Sequence, residues 1–232
     1  MIPSWRRAGA IATLLAVTGA RAAAPATSAS AGVLRIYLAR HGQTDWNAQH
    51  RLQGSTDTHL DAMGRAQAES LGVRLAGVRF DAVYSSMLSR TRETAAIVHG
   101  ATPIDSLADL NERRLGRFQG FVVDSDSVAT VEYRRRIVAL GDDLDGGETL
   151  EQQLGRVTRA LDGIRRRHPS GTILIVSHGL TNQLILKALF GLSWEQANAI
   201  AQGNDELYLI ELGAARRPRL WKWIGAENLK DL

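Results

Sequence analysis

Cysteine is absent from all 232 residues, which excludes disulfides, thiolate nucleophiles and zinc or iron–sulfur sites built on Cys ligands. The absence does not identify the compartment, because an exported protein can fold without disulfides. A membrane-spanning run is also lacking: a spanning helix needs about 20 apolar residues, and the apolar stretch at 8–20 is too short. That stretch follows Arg6 and Arg7 and ends in Ala20-Arg21-Ala22. A basic start, a short apolar middle and small residues before the cut predict a secretory signal over 1–22, cleaved after Ala22. Residues 23–32, rich in Ala, Ser and Thr, read as a flexible leader, and 33–232 as one folded domain, periplasmic or secreted. Excess charge is scarce as well. Losing the signal removes three arginines and no acid, so the formal charge falls from +4 to +1. A nearly neutral domain argues against nucleic-acid binding. The arginine triplets at 134–136 and 165–167 read as solvated helix faces, and no membrane attachment is expected after signal removal. No cluster of metal ligands and no internal repeat is visible, so neither a metal nor another cofactor is expected.

The domain does contain apolar strand-like runs alternating with helical patterns. Residues 33–39 (V-L-R-I-Y-L-A) and 172–176 (T-I-L-I-V) read as strands, 81–84 as a short strand, and 206–212 and 220–224 as the last two. Helices are expected over about 61–76, capped by Asp61, and over 88–98, 128–140, 149–167 and 180–189, with a short one from Ser193. Leu150, Leu154, Val157, Leu161 and Ile164 form one stripe of the longest helix, which Pro169 and Gly171 stop. Residues 40–58 and 105–120 read as loops. The alternation implies an α/β fold, a three-layer α/β/α sandwich whose mostly parallel central sheet is covered on both faces.

Two of these strands end in the same way. Arg40-His41-Gly42-Gln43-Thr44 follows the first, and Ser177-His178-Gly179 follows 172–176. Ligands of open α/β sheets sit outside the carboxyl ends of the strands, so the two histidines are expected to share one crevice. The arginine beside His41 points to an anion, and phosphate is the anion that suits it. Phosphate monoesters hydrolyse so slowly unaided that an acceleration near 10²¹ corresponds to roughly 28 kcal/mol. One charge contact at about 4 Å supplies only about 4 kcal/mol at an effective dielectric of 20. Several cations and a covalent intermediate are therefore needed, and arginine's planar fork fits phosphate.

The run R-H-G-Q-T-D-W-N at 40–47 resembles the signature of the histidine phosphatase superfamily, also called phosphoglycerate mutase-like. The similarity continues in order: Arg51-Leu52-Gln53-Gly54 with Leu60, Gly64 and Gln67; Ser85-Ser86-Met87-Leu88-Ser89-Arg90 with Thr94-Ala95; Leu110-Asn111-Glu112-Arg113 with Gly116 and Gln119-Gly120. Gly147-Glu148-Thr149-Leu150 and Val176-Ser177-His178-Gly179 complete it. The resemblance implies a phosphoglycerate mutase-like sandwich and assigns roles. His41 is the expected nucleophile, forming a phosphohistidine. Arg40, Arg90 and His178 are expected around the non-bridging oxygens, and Glu112 as proton donor, with Asp109 and Glu148 as substitutes. Asn47, Gln53, Gly42, Gly179 and Arg113 are candidates for substrate binding or close approach. Arg92 competes with Arg90, and His50, His59, His99 and His168 match no catalytic position. The expected activity is hydrolysis of small phosphate monoesters. The alternatives are a phosphoglycerate mutase, which the Tyr133–Arg136 run resembles although Leu115 stands at a mutase tyrosine position, and a non-catalytic phosphate-binding protein. Specificity is expected from residues 121–128 and the region near Trp194.

Overall fold

The computed structural model describes residues 32–99, 103–124, 127–213, 216–224 and 230–231; the expected signal, and the leader up to residue 31, lie outside them. The first half of the domain runs β1 (Val33–Arg40), α1 (Asp45–Ala48), α2 (Ala62–Leu75), β2 (Ala82–Ser86), α3 (Ser89–His99) and β3 (Ile104–Leu107). The second half runs α4 (Val128–Ile137), α5 (Leu150–Arg167), β4 (Gly171–Ser177), α6 (Gly179–Phe190), α7 (Trp194–Asn198), β5 (Glu206–Gly213), β6 (Arg216–Ile224) and β7 (Lys230–Asp231).

Side chains of a strand alternate between faces, and here both faces are apolar. Leu34, Ile36 and Leu38 of β1 join Ile173 and Ile175 of β4 on one side, where Val157, Leu161 and Ile164 of α5 and Leu184 and Ile185 of α6 cover them. Tyr37, Ala39, Leu174 and Val176 face the other side, under Leu71 and Leu75 of α2 and Ala95 and Val98 of α3. Each fully buried Leu or Ile contributes about 1.5–3 kcal/mol, so a strand apolar on both faces is stable only between two helical layers. The result is the expected three-layer sandwich. The seven-stranded sheet has the order β3-β2-β4-β1-β5-β6-β7. β3, β2, β4 and β1 are mutually parallel, whereas β5, β6 and β7 continue the sheet antiparallel. β5 runs antiparallel to β1 although α6 and α7 precede it, whereas β5 and β6 follow each other without the crossover helix that a parallel return requires.

Two short elements, α1 and β3, lie in stretches read as loops. Each has four residues, too few for a hydrophobic period to show. α1 is set by a capping box in which Thr44 accepts from the Asn47 N–H and the Asn47 side chain accepts from the Thr44 N–H. β3 is a half-exposed edge strand that, among the described residues, pairs with β2 alone. The longer helices follow their sequence signals. Thr149 and Gln152 form a capping box at the start of α5, and Gly191 ends α6 in the left-handed region at φ 65°.

Candidate active site

The register of β1 on β4 brings the two histidine motifs together. Arg40 pairs with Ser177, and the His41 N–H donates to the Ser177 carbonyl at 3.0 Å, so His41 and His178 leave the sheet side by side. Their ring centroids are 5.2 Å apart. Both rings are buried. His41 Nδ1 lies 2.7 Å from the Gly42 carbonyl, which only accepts, so Nδ1 carries the proton and Nε2 keeps its lone pair. Burial above all, then the charges of Arg90 and Arg40, push the His41 imidazole well below the usual histidine range. A neutral ring with Nε2 unprotonated is what a nucleophile requires.

His178 is oriented by a chain of hydroxyls. Ser86 Oγ accepts from the Leu88 N–H and from the Thr91 hydroxyl at 2.7 Å and donates to His178 Nε2 at 2.8 Å, so the neutral ring carries its proton on Nδ1. His178 Nδ1 is buried without a partner. Burial, followed by Arg90, His41 and Arg40, pushes this ring well below the usual range too.

The two arginines are anchored through their terminal nitrogens. Arg90, at the start of α3, donates from Nη1 to the Thr56 carbonyl at 2.8 Å and from Nη2 to the Gly54 carbonyl at 2.9 Å. Burial pulls it down to about 10, so it stays cationic at neutral pH. Arg40 Nη1 donates to the Gln202 carbonyl at 2.8 Å. The Nε of each is buried and unpartnered. Arg40 Nε, Arg90 Nε and His178 Nδ1 are thus three buried side-chain nitrogens without a partner. Such atoms are costly unless a ligand pairs with them.

Arg40, His41, Arg90, Glu112, Asn47, Gln53 and Gly179 line one cavity of about 420 Å³. Glu112 is held at the N-terminus of α6. Its Oε2 accepts from the Leu180 N–H at 3.2 Å, and its Oε1 from the Arg113 N–H at 2.9 Å and Gln153 Nε2 at 3.3 Å. Gln53 Oε1 is taken by the Thr44 hydroxyl at 3.0 Å, which leaves its N–H₂ for the cavity. The rivals fall elsewhere. Asp109 pairs with Arg159 and Glu148 with Arg156, while Arg92 borders a separate surface cavity with His59 and Glu93. His99 packs edge-on against Phe80, and His168 Nε2 meets the Tyr84 hydroxyl at 2.9 Å.

Arg113 is corrected as an expected substrate contact, and of the two roles expected for Gly42 the structure supports close approach. Arg113 is fully buried and donates to the carbonyls of Glu148, Ile137 and Asp142, each at 2.7 Å. Neighbours on an extended segment point to opposite sides, so Glu112 in the cavity turns Arg113 into the protein. Gly42 is absent from the lining; a Cβ there would lie 2.3 Å from the Gly64 carbonyl oxygen. Its role is the close approach of the 41–44 loop to α2.

Sequence reasoning missed much of the cavity wall: Arg51, Leu52, Leu180, Gln183, Asn198 and Ile200. It also missed the loop that clamps the first motif, where Asn204 Nδ2 donates to the His41 carbonyl at 2.6 Å and the Gln202 carbonyl holds Arg40. The i, i+4 spacing of Gly179 and Gln183 on one helix was the available signal for the wall. The polar run 202–205 before β5 was the signal for the clamp.

Comparison with known proteins gives this geometry its context. The chain is 33% identical over 171 residues, 71% of its own length and 79% of the relative's, to the Escherichia coli protein named "Probable phosphoglycerate mutase GpmB". It superposes on the alpha-ribazole phosphatase of Shigella flexneri with a TM-score of 0.67 at 27% identity, covering 78% of this chain and 91% of that one. It superposes on a mycobacterial glucosyl-3-phosphoglycerate phosphatase bound to VO3 with a TM-score of 0.72 at 27% identity, covering 83% and 99%. The model of the histidine phosphatase superfamily, branch 1, matches residues 36–223, so the chain belongs to that superfamily.

Proposed function

We propose that this protein hydrolyses small phosphate monoesters through a phosphohistidine on His41. The observation that carries the reading is the set of buried, unpartnered nitrogens on Arg40 and Arg90, which line the cavity with a neutral His41, and on His178, whose ring packs against His41. Three phosphoryl oxygens match that trio in number, with two cationic donors and one neutral one. In the first step His41 Nε2 attacks phosphorus in line, the ester P–O bond breaks, and Glu112 gives a proton to the departing alkoxide. In the second, Glu112 takes a proton from water, the hydroxide attacks phosphorus, the P–N bond breaks and phosphate leaves. Arg40 and Arg90 stabilise the charge that grows on the non-bridging oxygens in both steps. Cleavage of residues 1–22 and export of the domain belong to the same proposal.

The test is phosphate release from a panel of monoesters between acidic and neutral pH, with Glu112→Gln alongside. The substitution is expected to slow alkyl esters by about 10²–10⁴-fold and p-nitrophenyl phosphate much less, because p-nitrophenolate leaves without a proton. No release from any ester would end the reading. The identity to relatives named as mutases supports a second reading, interconversion of phosphoglycerates. A bisphosphoglycerate-dependent isomerisation faster than phosphate release would establish it instead.

A further inference from the structure

A second cavity, of about 370 Å³, adjoins the catalytic one. Arg40, Asn47, Arg51 and Leu52 line both, so the two share a wall. Gln43, His50 and Asn204 border the second cavity alone, and among the described residues no carboxylate lines it. Arg51 brings an unspent charge to the shared wall. Its Nη1 donates to the Gly120 carbonyl at 2.8 Å, its Nε to Gln49 Oε1 at 3.2 Å, and its guanidinium lies 5.4 Å from the Trp46 ring centroid. These partners orient the fork, yet all are neutral and leave the positive charge in place. Among the described residues no carboxylate pairs with Arg51, and its Nη2 has no hydrogen-bond partner. By contrast Asp142 and Asp145 neutralise Arg136, and Glu148 neutralises Arg156, at 2.7–2.9 Å. Asn47 Oδ1 is taken by the Thr44 N–H at 3.2 Å, which leaves the Asn47 N–H₂ for a ligand. The His50 ring carries an N–H donor in either protonation state. His50 sits in the left-handed region at φ 51°, which side chains seldom adopt. Its N–H donates to the Asn47 carbonyl at 3.0 Å, its carbonyl accepts from the Val123 N–H at 2.9 Å, and the Leu52 N–H donates to the Phe121 carbonyl at 2.8 Å. The 47–52 turn is thereby fixed on the 121–123 segment, with His50 and Arg51 held at the cavity.

Resting on the phosphatase reading, we propose that this second cavity is an anion subsite, and that the preferred substrates are phosphate monoesters whose alcohol carries a second anionic group, a phosphate or a carboxylate. With the phosphoryl group at the Arg40–Arg90 end, the far anion lies against Arg51, and Asn47 and His50 add hydrogen bonds. A guanidinium already held at two nitrogens loses little freedom when the anion arrives, and its planar fork suits both anions. The one acid lining the catalytic cavity, Glu112, does not border the subsite, so no like charge opposes the second group there. Arg51 is half-buried, so the attraction is open to screening by salt.

Three esters on one carbon chain isolate the effect in the full-length protein: butane-1,4-diol monophosphate, butane-1,4-diol bisphosphate and the phosphate ester of 4-hydroxybutanoate. They differ only in the group at the far end. Both doubly anionic esters are expected to exceed the monophosphate about tenfold in kcat/KM, chiefly through KM, beyond the statistical gain from two equivalent ends. The advantage should shrink as salt is raised. A gain confined to one of the two supports the subsite and names its anion. Arg51→Gln is expected to bring the ratio close to one, and Arg51→Lys to keep part of it. His50→Gly, which accepts φ 51° more readily, is expected to lower the ratio about threefold and carries the test if Arg51→Gln does not fold. A ratio of one or less in the unsubstituted protein overturns the anion subsite while keeping the phosphatase. So does an advantage that Arg51→Gln and His50→Gly, where folded, both retain. Failure to cleave all three esters overturns the phosphatase reading itself.

Discussion

At the scale of single residues, the site is decided by which nitrogen each imidazole presents. The Gly42 carbonyl fixes the proton of His41 on Nδ1, so the phosphoryl group should be found on Nε2 alone. Phosphorus NMR of enzyme quenched in alkali during turnover should show the Nε2-phosphorylated isomer, and the Nδ1 isomer would contradict the site. The same burial and arginines that lower His41 predict a pH profile. With p-nitrophenyl phosphate, which needs little proton donation, a nucleophile titrating at the ordinary value of about 6.5 loses rate tenfold per pH unit below it. Here kcat/KM should hold its plateau through pH 6, and a limb centred at 6.5 would refute the lowered value. The sequence exposed both histidines and both arginines through their motifs. It did not expose Ser86 and Thr91, whose hydroxyls orient His178 only because β2 lies beside β4 in the sheet.

At the scale of elements, strand ends and helix starts carry the chemistry while buried braces hold them in register. Arg113 is one such brace, tying the 112–113 segment to the 137–148 stretch through three carbonyls. Arg113→Met strips those carbonyls of their donor inside the protein, where each unsatisfied group costs about 1–3 kcal/mol. Urea unfolding should show a loss of about 3 kcal/mol or more, with KM of the folded fraction unchanged. A raised KM at full stability would return Arg113 to the substrate. The contact of Gly42 with Gly64 is a second brace, since a Cβ on Gly64 would lie 2.0 Å from the Gln43 carbonyl oxygen. The long helices were legible because cap, stripe and stop agree along a single segment. α1 and β3 were not, because four residues hold no period, and the ladder of β3 is supplied by the distant β2.

For the whole molecule, gathering cations and neutral imidazoles under one roof ties stability to pH. His41 and His178 are buried and both are pushed well below their ordinary value. Above about pH 6.5 the two rings are neutral whether the chain is folded or not, and their proton-linked contribution is flat. As pH falls below that point the unfolded chain binds two protons that the folded chain refuses, so stability declines until the folded values are reached. The slope is about 1.4 kcal/mol per pH unit for each ring, about 2.7 for both. Denaturant midpoints measured from pH 8 to pH 5 should be level above 6.5 and fall below it; a level midpoint down to pH 5 would mean the rings are charged in the folded protein. The scaffold tolerates this cost because the two apolar layers around β1 and β4 do not titrate.

Taken alone, the order of residues determined the sandwich, the strand ends and the four cationic or imidazole groups of the site, because periodicity and local motifs are properties of neighbours along the chain. Only the folded molecule decided that Glu112 faces the cavity and Arg113 does not, that His178 leaves Nδ1 unpartnered, and that neutral amides and leucines share the cavity lining. Those outcomes depend on which segments meet across the sheet and on the side of the backbone each residue takes there, and both are set by packing between parts of the chain far apart in sequence.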